Sequence, residues 1–387
     1  MSWEKVKLGE LYSVRNGLSK GRKFFGSGYP FLSFSTVFNN YFIPDELVDL
    51  VQSDEKEQKN YSISRGDVFV TRTSETSDEL GMSCVALKDY PRATYNGFTK
   101  RMRPITKDRV LPEYIGYYMR IPAFRSEFQA FSTMTTRASL RNEDLLSLTI
   151  LLPPMEQQIR IAEVLQTYDK LIENNKKQIK LLEEAAERLY REWFVDLRFP
   201  GYEDTKIIDG LPEGWVKKPI YNVFKIKYGK TLPKTMISYN GKYPVYGANG
   251  IIGYYQEKNV EDYVVLITSR GNGSGDILRT HDKEAFITNN SFIVKSIDNN
   301  LGVSFIYHLM KNTDFKRICT GSAQPQLTNS SIGTIFLTMP NIELIKIFSD
   351  VVDVWFEKIE CLIKENRLLE EARDRLLPKL MNGEIDF

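Results

Sequence analysis

Two acidic residues and a lysine match, in type and order, the metal site of one class of nucleases. Asp45 follows Pro44, and Glu57 and Lys59 come after it along the chain. In nucleases with this arrangement the acidic side chains hold Mg²⁺ and the lysine assists the attacking water. Residues 52–60 are almost wholly polar, whereas such ligands lie on a buried strand, and short matches arise by chance in charged segments. A stand-alone Mg-dependent nuclease using Asp45, Glu57 and Lys59 is therefore the alternative hypothesis.

The other residue types that catalyse reactions form no recognisable pattern. His281 and His308 lie in unrelated contexts, without a nucleophile or a second base nearby in sequence. Cys84, Cys319 and Cys361 are too scattered for a disulfide framework or a zinc site. The sequence contains neither the Asp/Asn-Pro-Pro-Tyr/Phe tetrapeptide of adenine methyltransferases nor a glycine-rich loop for S-adenosylmethionine. We therefore expect a non-catalytic chain that uses no cofactor and no metal.

Basic and polar residues cluster where strand-like segments end, and these side-chain types bond to base edges and phosphates. The net charge is only +2. Lys and Arg nevertheless outnumber Asp and Glu in residues 1–153 and 200–340, and the reverse holds in 154–199 and 341–387. This distribution favours contact between the globular parts and phosphate, although a solvated or salt-bridged surface would give the same pattern. The candidate DNA-binding residues are Lys20, Arg22, Lys23, Arg72, Thr73, Ser74, Lys100, Arg101, Arg137, Lys227, Lys230, Arg270, Asn272, Ser274 and Gln324.

These clusters lie on a frame that occurs twice in the chain. Residues 133–190 align without a gap with residues 320–377, and the run LLEEA occurs at 181–185 and again at 368–372. A repeat of this length indicates two domains of one kind. The first copy carries an insertion between Phe31 and Arg72, and Arg72 is aligned with Arg270 of the second copy. We expect two mixed α/β halves in which different loops sit on a shared frame, as in related binders of different targets.

Each copy ends in a long helix with mostly apolar residues at strict four- and three-residue spacing, over 161–193 and over 348–380. This spacing is typical of a coiled-coil seam. In a fully overlapping antiparallel pair, the two seam amides, Asn175 and Asn366, face each other and satisfy each other's hydrogen bonds. Arg373 then lies opposite Tyr168, where a cation–π contact is possible. A parallel pair leaves both amides facing apolar residues, so we predict an antiparallel pair.

The sequence resembles the DNA-specificity subunit of type I restriction–modification systems over its whole length. The motifs that carry the resemblance are LLPPMEQQ at 151–158, LLEEA at 181–185, LPEGW at 211–215 and LMNGEI at 380–385. The resemblance implies two target-recognition domains that each read one half of a split site in double-stranded DNA. It also implies helices that hold these domains apart and dock methyltransferase subunits, through which restriction subunits join. In the second copy the proline–glutamine motif is replaced by MPNIE at 339–343, so the two helices need not contact partners equally.

We therefore expect an α+β protein with pseudo-twofold symmetry. Two similar target-recognition domains, 1–153 and 200–340, are separated by two long spacer helices, 154–199 and 341–387, that form an antiparallel coiled coil. The site should be bipartite and asymmetric, with half-sites about one DNA turn apart (~34–36 Å). No apolar run is long enough to span a bilayer and no signal-peptide pattern opens the chain, so we expect a cytoplasmic protein. A protein-binding coiled-coil adaptor is a third hypothesis, and it predicts no salt-dependent affinity for DNA.

Overall fold

The computed structural model describes residues 3–74, 80–106, 108–130, 138–298, 300–321 and 324–385, with the backbone alone at 73, 74, 129, 130, 138 and 139. The chain divides into two compact units. Unit 1 consists of Met1–Ile172 and Leu368–Phe387, and unit 2 consists of Glu173–Arg367. In the described part of the chain, every helix is too short or too polar to cross a membrane.

Strands and helices are mixed along the described chain up to the end of the first long helix. They are β1 (Glu4–Lys7), α1 (Leu8–Leu11), β2 (Tyr12–Asn16), β3 (Phe25–Leu32), α2 (Phe34–Asn39), β4 (Leu50–Val51), α3 (Glu55–Asn60), β5 (Val68–Thr71), β6 (Thr73–Ser74), β7 (Ser83–Val85), β8 (Thr94–Tyr95), β9 (Thr99–Pro104), α4 (Pro112–Tyr118), α5 (Pro122–Ala130), β10 (Ala138–Ser139), α6 (Asn142–Ser147), β11 (Thr149–Leu152) and α7 (Met155–Tyr190).

A π-helical turn, Arg191–Val195, follows α7. The later elements are β12 (Ile207–Ile208), β13 (Leu211–Pro212), β14 (Val216–Pro219), β15 (Phe224–Tyr228), β16 (Tyr243–Gly247), β17 (Gly250–Tyr255), β18 (Val265–Thr268), β19 (Ile277–Arg279), β20 (Phe286–Ile287), β21 (Ser291–Ser296), α8 (Val303–Lys311), α9 (Asn329–Ile332), β22 (Phe336–Met339) and α10 (Ile342–Met381).

The core of unit 1 covers both faces of a four-stranded antiparallel sheet with the strand order β2-β9-β5-β7. Successive side chains of a strand point to opposite faces. Val68 and Val70 of β5 therefore join one apolar cluster, and Phe69 joins another. Because both faces are covered, β5 is fully buried and its sequence is a continuous apolar run before Thr71.

Unit 2 repeats this frame. Its four-stranded antiparallel sheet has the order β15-β21-β18-β19. Val265 and Ile267 of β18 face one cluster, and Leu266 faces another. In both units a smaller sheet contains one parallel pair, β3 with β8 and β16 with β20. The predicted duplication of a mixed α/β frame is confirmed.

Two helices of unit 1 have no counterpart in unit 2. The helix α2 lies between β3 and β4, and α3 lies between β4 and β5, whereas β16, β17 and β18 are joined by fully described connections without a helix. These two helices constitute the insertion that the sequence places between Phe31 and Arg72. Asp54 caps α3 by accepting the N–H of Glu57 at 2.8 Å, and Glu57 accepts the N–H of Asp54 at 2.9 Å.

The two long helices are antiparallel, as predicted. In unit 1, the core contains Ile161 and Leu165 from the start of α7 together with Leu377 and Leu380 from the end of α10. In unit 2, the end of α7 meets the start of α10, because the rings of Tyr190 and Phe348 lie 5.8 Å apart. Residue numbers therefore rise along one helix as they fall along the other.

The prediction that the two seam amides form a hydrogen bond with each other is wrong. Asn175 and Asn366 are both buried, but Asn175 Nδ2 donates to Glu365 Oε2 at 3.2 Å. Within the described residues, Asn366 Oδ1 accepts no hydrogen bond. The carboxylate of Glu365 is the stronger acceptor, because hydrogen bonds to charged groups are shorter and stronger than those between amides.

The expected contact of Arg373 with Tyr168 is replaced in the same way. Arg373 Nη1 donates to Asp169 Oδ1 at 2.6 Å, and its guanidinium lies 5.5 Å from the centre of the Tyr41 ring. Asp169 also accepts the hydroxyl of Tyr117. A charged partner one residue from the seam thus takes precedence over the aromatic ring opposite.

The structure explains the proline–glutamine motif before α7 as an internal clamp. The Gln158 side chain is 1% exposed. Its amide donates to Pro153 O at 2.9 Å and to Arg109 O at 3.1 Å, and it accepts the N–H of Leu111 at 2.8 Å. The corresponding residue of the second copy is Ile345, which is buried in the core of unit 2. The altered motif therefore reflects a different way of anchoring the helix.

Replacing Gln158 with Ile is expected to destabilise the protein by about 2–4 kcal/mol, because buried backbone groups lose their partners. The free energy of unfolding in urea measures this effect. Ala at the exposed Glu156 is the matched control and should change it by less than about 0.5 kcal/mol. Equal stabilities of Gln158→Ile and the wild type would contradict the internal clamp.

Candidate nucleic-acid interface

Three predicted residues of unit 1 lie at the end of β5. Lys100 is buried and its ammonium donates to Asn142 Oδ1. Burial and the nearby guanidinium of Arg72 lower the pKa of Lys100. Arg72 Nε is buried and has no hydrogen-bond partner within the described residues, while Thr73 lies on β6, which pairs with β10. The positive charges of Lys100 and Arg72 are therefore adjacent at the end of β5.

Ser74 shares β6 with Thr73, and its backbone pairs with that of Ala138. Arg137, the neighbour of Ala138, lies outside the described residues. The segment that follows Arg72 and the segment that precedes Leu140 are therefore adjacent, because Leu140 N–H donates to Arg72 O at 2.9 Å.

Arg101, a candidate DNA-binding residue from the sequence, is buried inside unit 1. It follows Lys100 on β9 and so points to the opposite face of the sheet. Its Nη1 donates to Ser62 O at 2.6 Å, and its guanidinium lies 5.5 Å from the centre of the Tyr95 ring. Burial lowers the pKa of Arg101. These contacts give Arg101 a structural role.

The basic turn near the start of unit 1 is partly neutralised. Lys20 Nζ lies 2.7 Å from Glu57 Oε2 and donates to Gln52 O at 2.6 Å. Arg22 and Lys23 are exposed on a 3₁₀ turn, and Lys23 Nζ lies 5.1 Å from the centre of the Phe24 ring. Arg22 and Lys23 are therefore the accessible members of this turn.

The residues of the nuclease pattern are not assembled into a metal site. Asp45 is exposed and its carboxylate is paired with Lys88 at 3.0 Å. Glu57 is occupied by the cap of α3 and by Lys20. Across the described residues, no group of three or more His, Cys, Asp or Glu side chains is placed to hold a metal ion. The nuclease alternative is not supported.

In unit 2, two polar loops lie side by side. Arg270 forms a β-bridge with Gln326, and Gly271 N–H donates to Pro325 O at 3.1 Å. Asn272, Gln324 and Arg270 are exposed on these loops. Ser274 is buried and donates to Ser269 O at 3.2 Å, so its hydroxyl stabilises the loop from inside.

Backbone hydrogen bonds correct the alignment of the two copies by one residue. Leu140 N–H donates to Arg72 O, and Leu327 N–H donates to Ser269 O, both at 2.9 Å. Leu140 and Leu327 are equivalent in the gapless part of the repeat, so Arg72 corresponds to Ser269. The predicted match of Arg72 with Arg270 is wrong, because it aligned similar side chains instead of the strand register. Arg270 corresponds to Thr73.

Lys227 and Lys230 lie on an exposed face of the unit 2 sheet, and two further lysines share that face. Lys225 is on the same face of β15, and Lys295 of β21 lies directly opposite Lys225. All four lysines line a cavity of about 320 Å³. Lys295 was missed because only the strand register places it there. Its segment, FIVKS at 292–296, is an apolar run followed by two polar residues, so no strand alternation places Lys295 on this face.

Both histidines are held by contacts within the fold. His281 Nδ1 lies 3.1 Å from Glu360 Oε1, and Glu360 also pairs with Arg279. His308 is 1% exposed and its Nδ1 lies 2.8 Å from Ser304 O. The rings of Tyr190 and Phe356 lie within 6 Å of its ring. Burial lowers the pKa of His308 to about 4 from its usual 6.5.

The pKa of His308 predicts a loss of stability in mild acid. Below pH 6.5 the unfolded chain takes up a proton that the folded chain accepts only near pH 4. The unfolding free energy should therefore fall by about 3 kcal/mol between pH 7 and pH 4 and change no further at this site below that. Denaturant unfolding at a series of pH values measures this loss. His308→Phe should show a smaller loss, and equal losses would contradict the assignment.

The chain is similar over almost its whole length to known proteins. A profile of the family described as "Type I restriction modification DNA specificity domain" matches residues 1–184 and 212–370. The chain is 26% identical to the type I restriction enzyme MjaIX specificity subunit of Methanocaldococcus jannaschii, covering 99% of this chain and 93% of that protein. It is 24% identical to the HindI specificity subunit of Haemophilus influenzae, covering 99% of each.

A solved structure shares the fold. The crystal structure of the type I restriction–modification S subunit from M. genitalium matches with a TM-score of 0.61. The match covers 100% of this chain and 96% of that chain, at 18% sequence identity.

Proposed function

The chain belongs to the type I restriction–modification DNA specificity family, and from this premise we propose that it selects the DNA site of a type I complex. Residues 1–153 and 200–340 are its two target-recognition domains, and each reads one half of a bipartite site. The observation that carries this proposal is the duplicated frame with different loops. Because α2 and α3 occur in unit 1 alone, the two half-sites differ and the complete site is asymmetric.

The segments proposed to read bases are those that follow the third strand of each frame. In unit 1 these are Arg72, Thr73 and Ser74, close to Lys100. In unit 2 they are Arg270 and Asn272, beside Gln324. Arg and Asn side chains recognise guanine and adenine edges in the major groove, and both segments begin at the end of a sheet strand. Arg22 and Lys23 are additional contacts in the first half.

The chain is a recognition subunit and not an enzyme, as its relatives are specificity subunits. Its partners are double-stranded DNA and methyltransferase subunits, through which restriction subunits join. It therefore acts in the cytoplasm, where it meets the DNA. The methyltransferase subunits dock on the two long helices, α7 and α10, which carry exposed apolar residues such as Leu181, Val354 and Leu368.

Sequencing the methylated bases of a host that carries the complete system tests the proposed function. We expect one asymmetric target made of two short words with an unread gap between them. A single uninterrupted target would overturn it. Incubating the purified chain with DNA and Mg²⁺ tests the nuclease alternative. DNA cleavage that is lost in Asp45→Ala would show that this chain itself cuts DNA.

A further inference from the structure

One face of the unit 2 sheet carries four lysines close together, and we call it the lysine face. It consists of Lys225, Lys227, Lys230 and Lys295, which surround an apolar floor that includes Ile293. All four lysines are exposed. Among the described residues, none of them forms an ion pair and no acidic side chain lines the cavity.

The repulsion between these lysines destabilises the protein when no ligand is bound. Lys225 and Lys295 are direct cross-strand partners, and like charges in that position destabilise a sheet. The apolar floor also reduces the local dielectric constant, which strengthens both the repulsion and any attraction to an anion. A ligand with several negative charges at short intervals would relieve the repulsion.

The equivalent face of unit 1 is closed by the chain itself. The strand pairings make Ser13, Arg15 and Arg103 the counterparts of Lys225, Lys227 and Lys295. Arg15 Nη1 donates to Asn60 O at 2.9 Å, at the end of α3. Arg103 is paired with the buried Asp67 at 2.6 Å. The segment containing α3 thus supplies acceptors for these arginines.

In unit 2 the corresponding connection, residues 256–264, carries no helix. Its residues Asn259 and Val260 border the cavity and leave the lysines exposed. The difference between the two faces therefore follows directly from the insertion in unit 1.

We propose that the lysine face binds consecutive backbone phosphates of DNA and that unit 1 has no equivalent. This rests on the proposed function, and it adds which surface binds and which part of the DNA it contacts. Lysine ammonium groups are point charges that suit phosphates, whereas base edges favour the planar, two-pronged groups of Arg, Asn and Gln. Unit 2 accordingly supplies the larger share of the sequence-independent, salt-dependent affinity.

The test is the salt dependence of DNA binding by the double variant Lys225→Gln/Lys295→Gln, assembled with its methyltransferase subunits. The slope of log affinity against log salt should decrease in magnitude by about two, since each phosphate contact contributes roughly 0.9. The ratio of affinities for the complete site and for DNA with one half-site scrambled should stay unchanged. Fluorescence anisotropy on both DNAs over a range of salt concentrations gives both quantities.

The matched control is Lys258→Gln/Lys283→Gln, which removes the same charge from the same unit. Lys258 is already neutralised by Glu261 and Glu284, and Lys283 lies over the Tyr263 ring. This control should keep the wild-type slope.

The melting temperature of Lys225→Gln/Lys295→Gln without DNA should equal or exceed that of the wild type, because these two substitutions remove a repulsion.

A wild-type slope in Lys225→Gln/Lys295→Gln would overturn the inference and leave the proposed function intact. Failure of this variant to assemble with methyltransferase subunits in gel filtration would assign the face to a protein partner and would also overturn it. A lowered melting temperature would show that the lysines serve the fold, with the same consequence. Absence of salt-dependent binding by the wild-type complex would overturn the proposed function itself.

Discussion

Deleting residues 170–176 together with residues 365–371 is expected to shorten the gap between the two half-sites by about three base pairs. One heptad of helix is about 10 Å long, and DNA rises about 3.4 Å per base pair. The expected consequence is a new methylation target, with the same two words and a shorter gap. Methylation of the original site should fall to background.

The choice of residues follows from the antiparallel pairing. Residues 170–176 and 365–371 lie at the same level of the helix pair, since Asn175 bonds to Glu365 and Asp169 pairs with Arg373 just outside the deletion. Removing seven residues from each helix keeps the apolar seam continuous, because the seam repeats every seven residues. The rotation between the remaining helix segments changes by only about 20°.

Methylome sequencing of cells that carry the complete system measures the gap directly. Duplicating the same heptads should lengthen the gap by the same number of base pairs, which is the opposite change to that expected of the deletion. Replacing the heptads with another coiled-coil heptad of equal length is the control, and it should leave the gap unchanged. An unchanged gap in the deletion variant would show that the helices do not set the spacing.

The helices were predictable from the sequence because their signal is local and periodic. The apolar spacing fixed the seam, and the antiparallel direction followed from placing Asn175 and Asn366 at one level. The hydrogen-bond partners were not predictable in this way. Glu365 and Asp169 lie beside the seam, so their reach across it depends on side-chain geometry that spacing does not contain.

The frame of each half was also predictable, but the detail of the candidate site was not. Apolar runs such as residues 68–70 identify buried strands whatever their register. Equivalence between copies depends on which backbone groups bond, and Arg72 was consequently aligned with Arg270 instead of Ser269. The burial of Arg101 and the position of Lys295 both depend on strand pairing over long sequence separations. Contacts of this kind leave no local pattern in the sequence.

The corrected register sharpens what substitution of the two arginines should do. Arg72 and Arg270 occupy different positions of the shared frame, so each is expected to contact a different place within its own half-site. Arg270→Ala should weaken binding to the complete site by about ten- to a hundredfold, or about 1–3 kcal/mol, the usual contribution of one good base contact. Arg72→Ala should have an effect of similar size.

The pattern of loss across half-sites is the decisive measurement. In Arg270→Ala, scrambling the half-site read by unit 2 should cost less affinity than in the wild type, because part of its recognition is already gone. Scrambling the other half-site should cost the same as before. Arg72→Ala should give the reverse pattern, with DNA binding measured in the assembled complex for the complete site and for each scrambled site.

Two further variants separate base recognition from simple charge. Arg317→Ala removes an exposed arginine from the same unit and should preserve binding to all three DNAs. Arg270→Lys keeps the charge but loses the planar group that bonds to two acceptors at once. It should therefore restore the salt dependence without restoring the discrimination. Full recovery by lysine would mean that Arg270 contacts a phosphate, and equal losses on both half-sites would contradict the assignment of one recognition domain to each half.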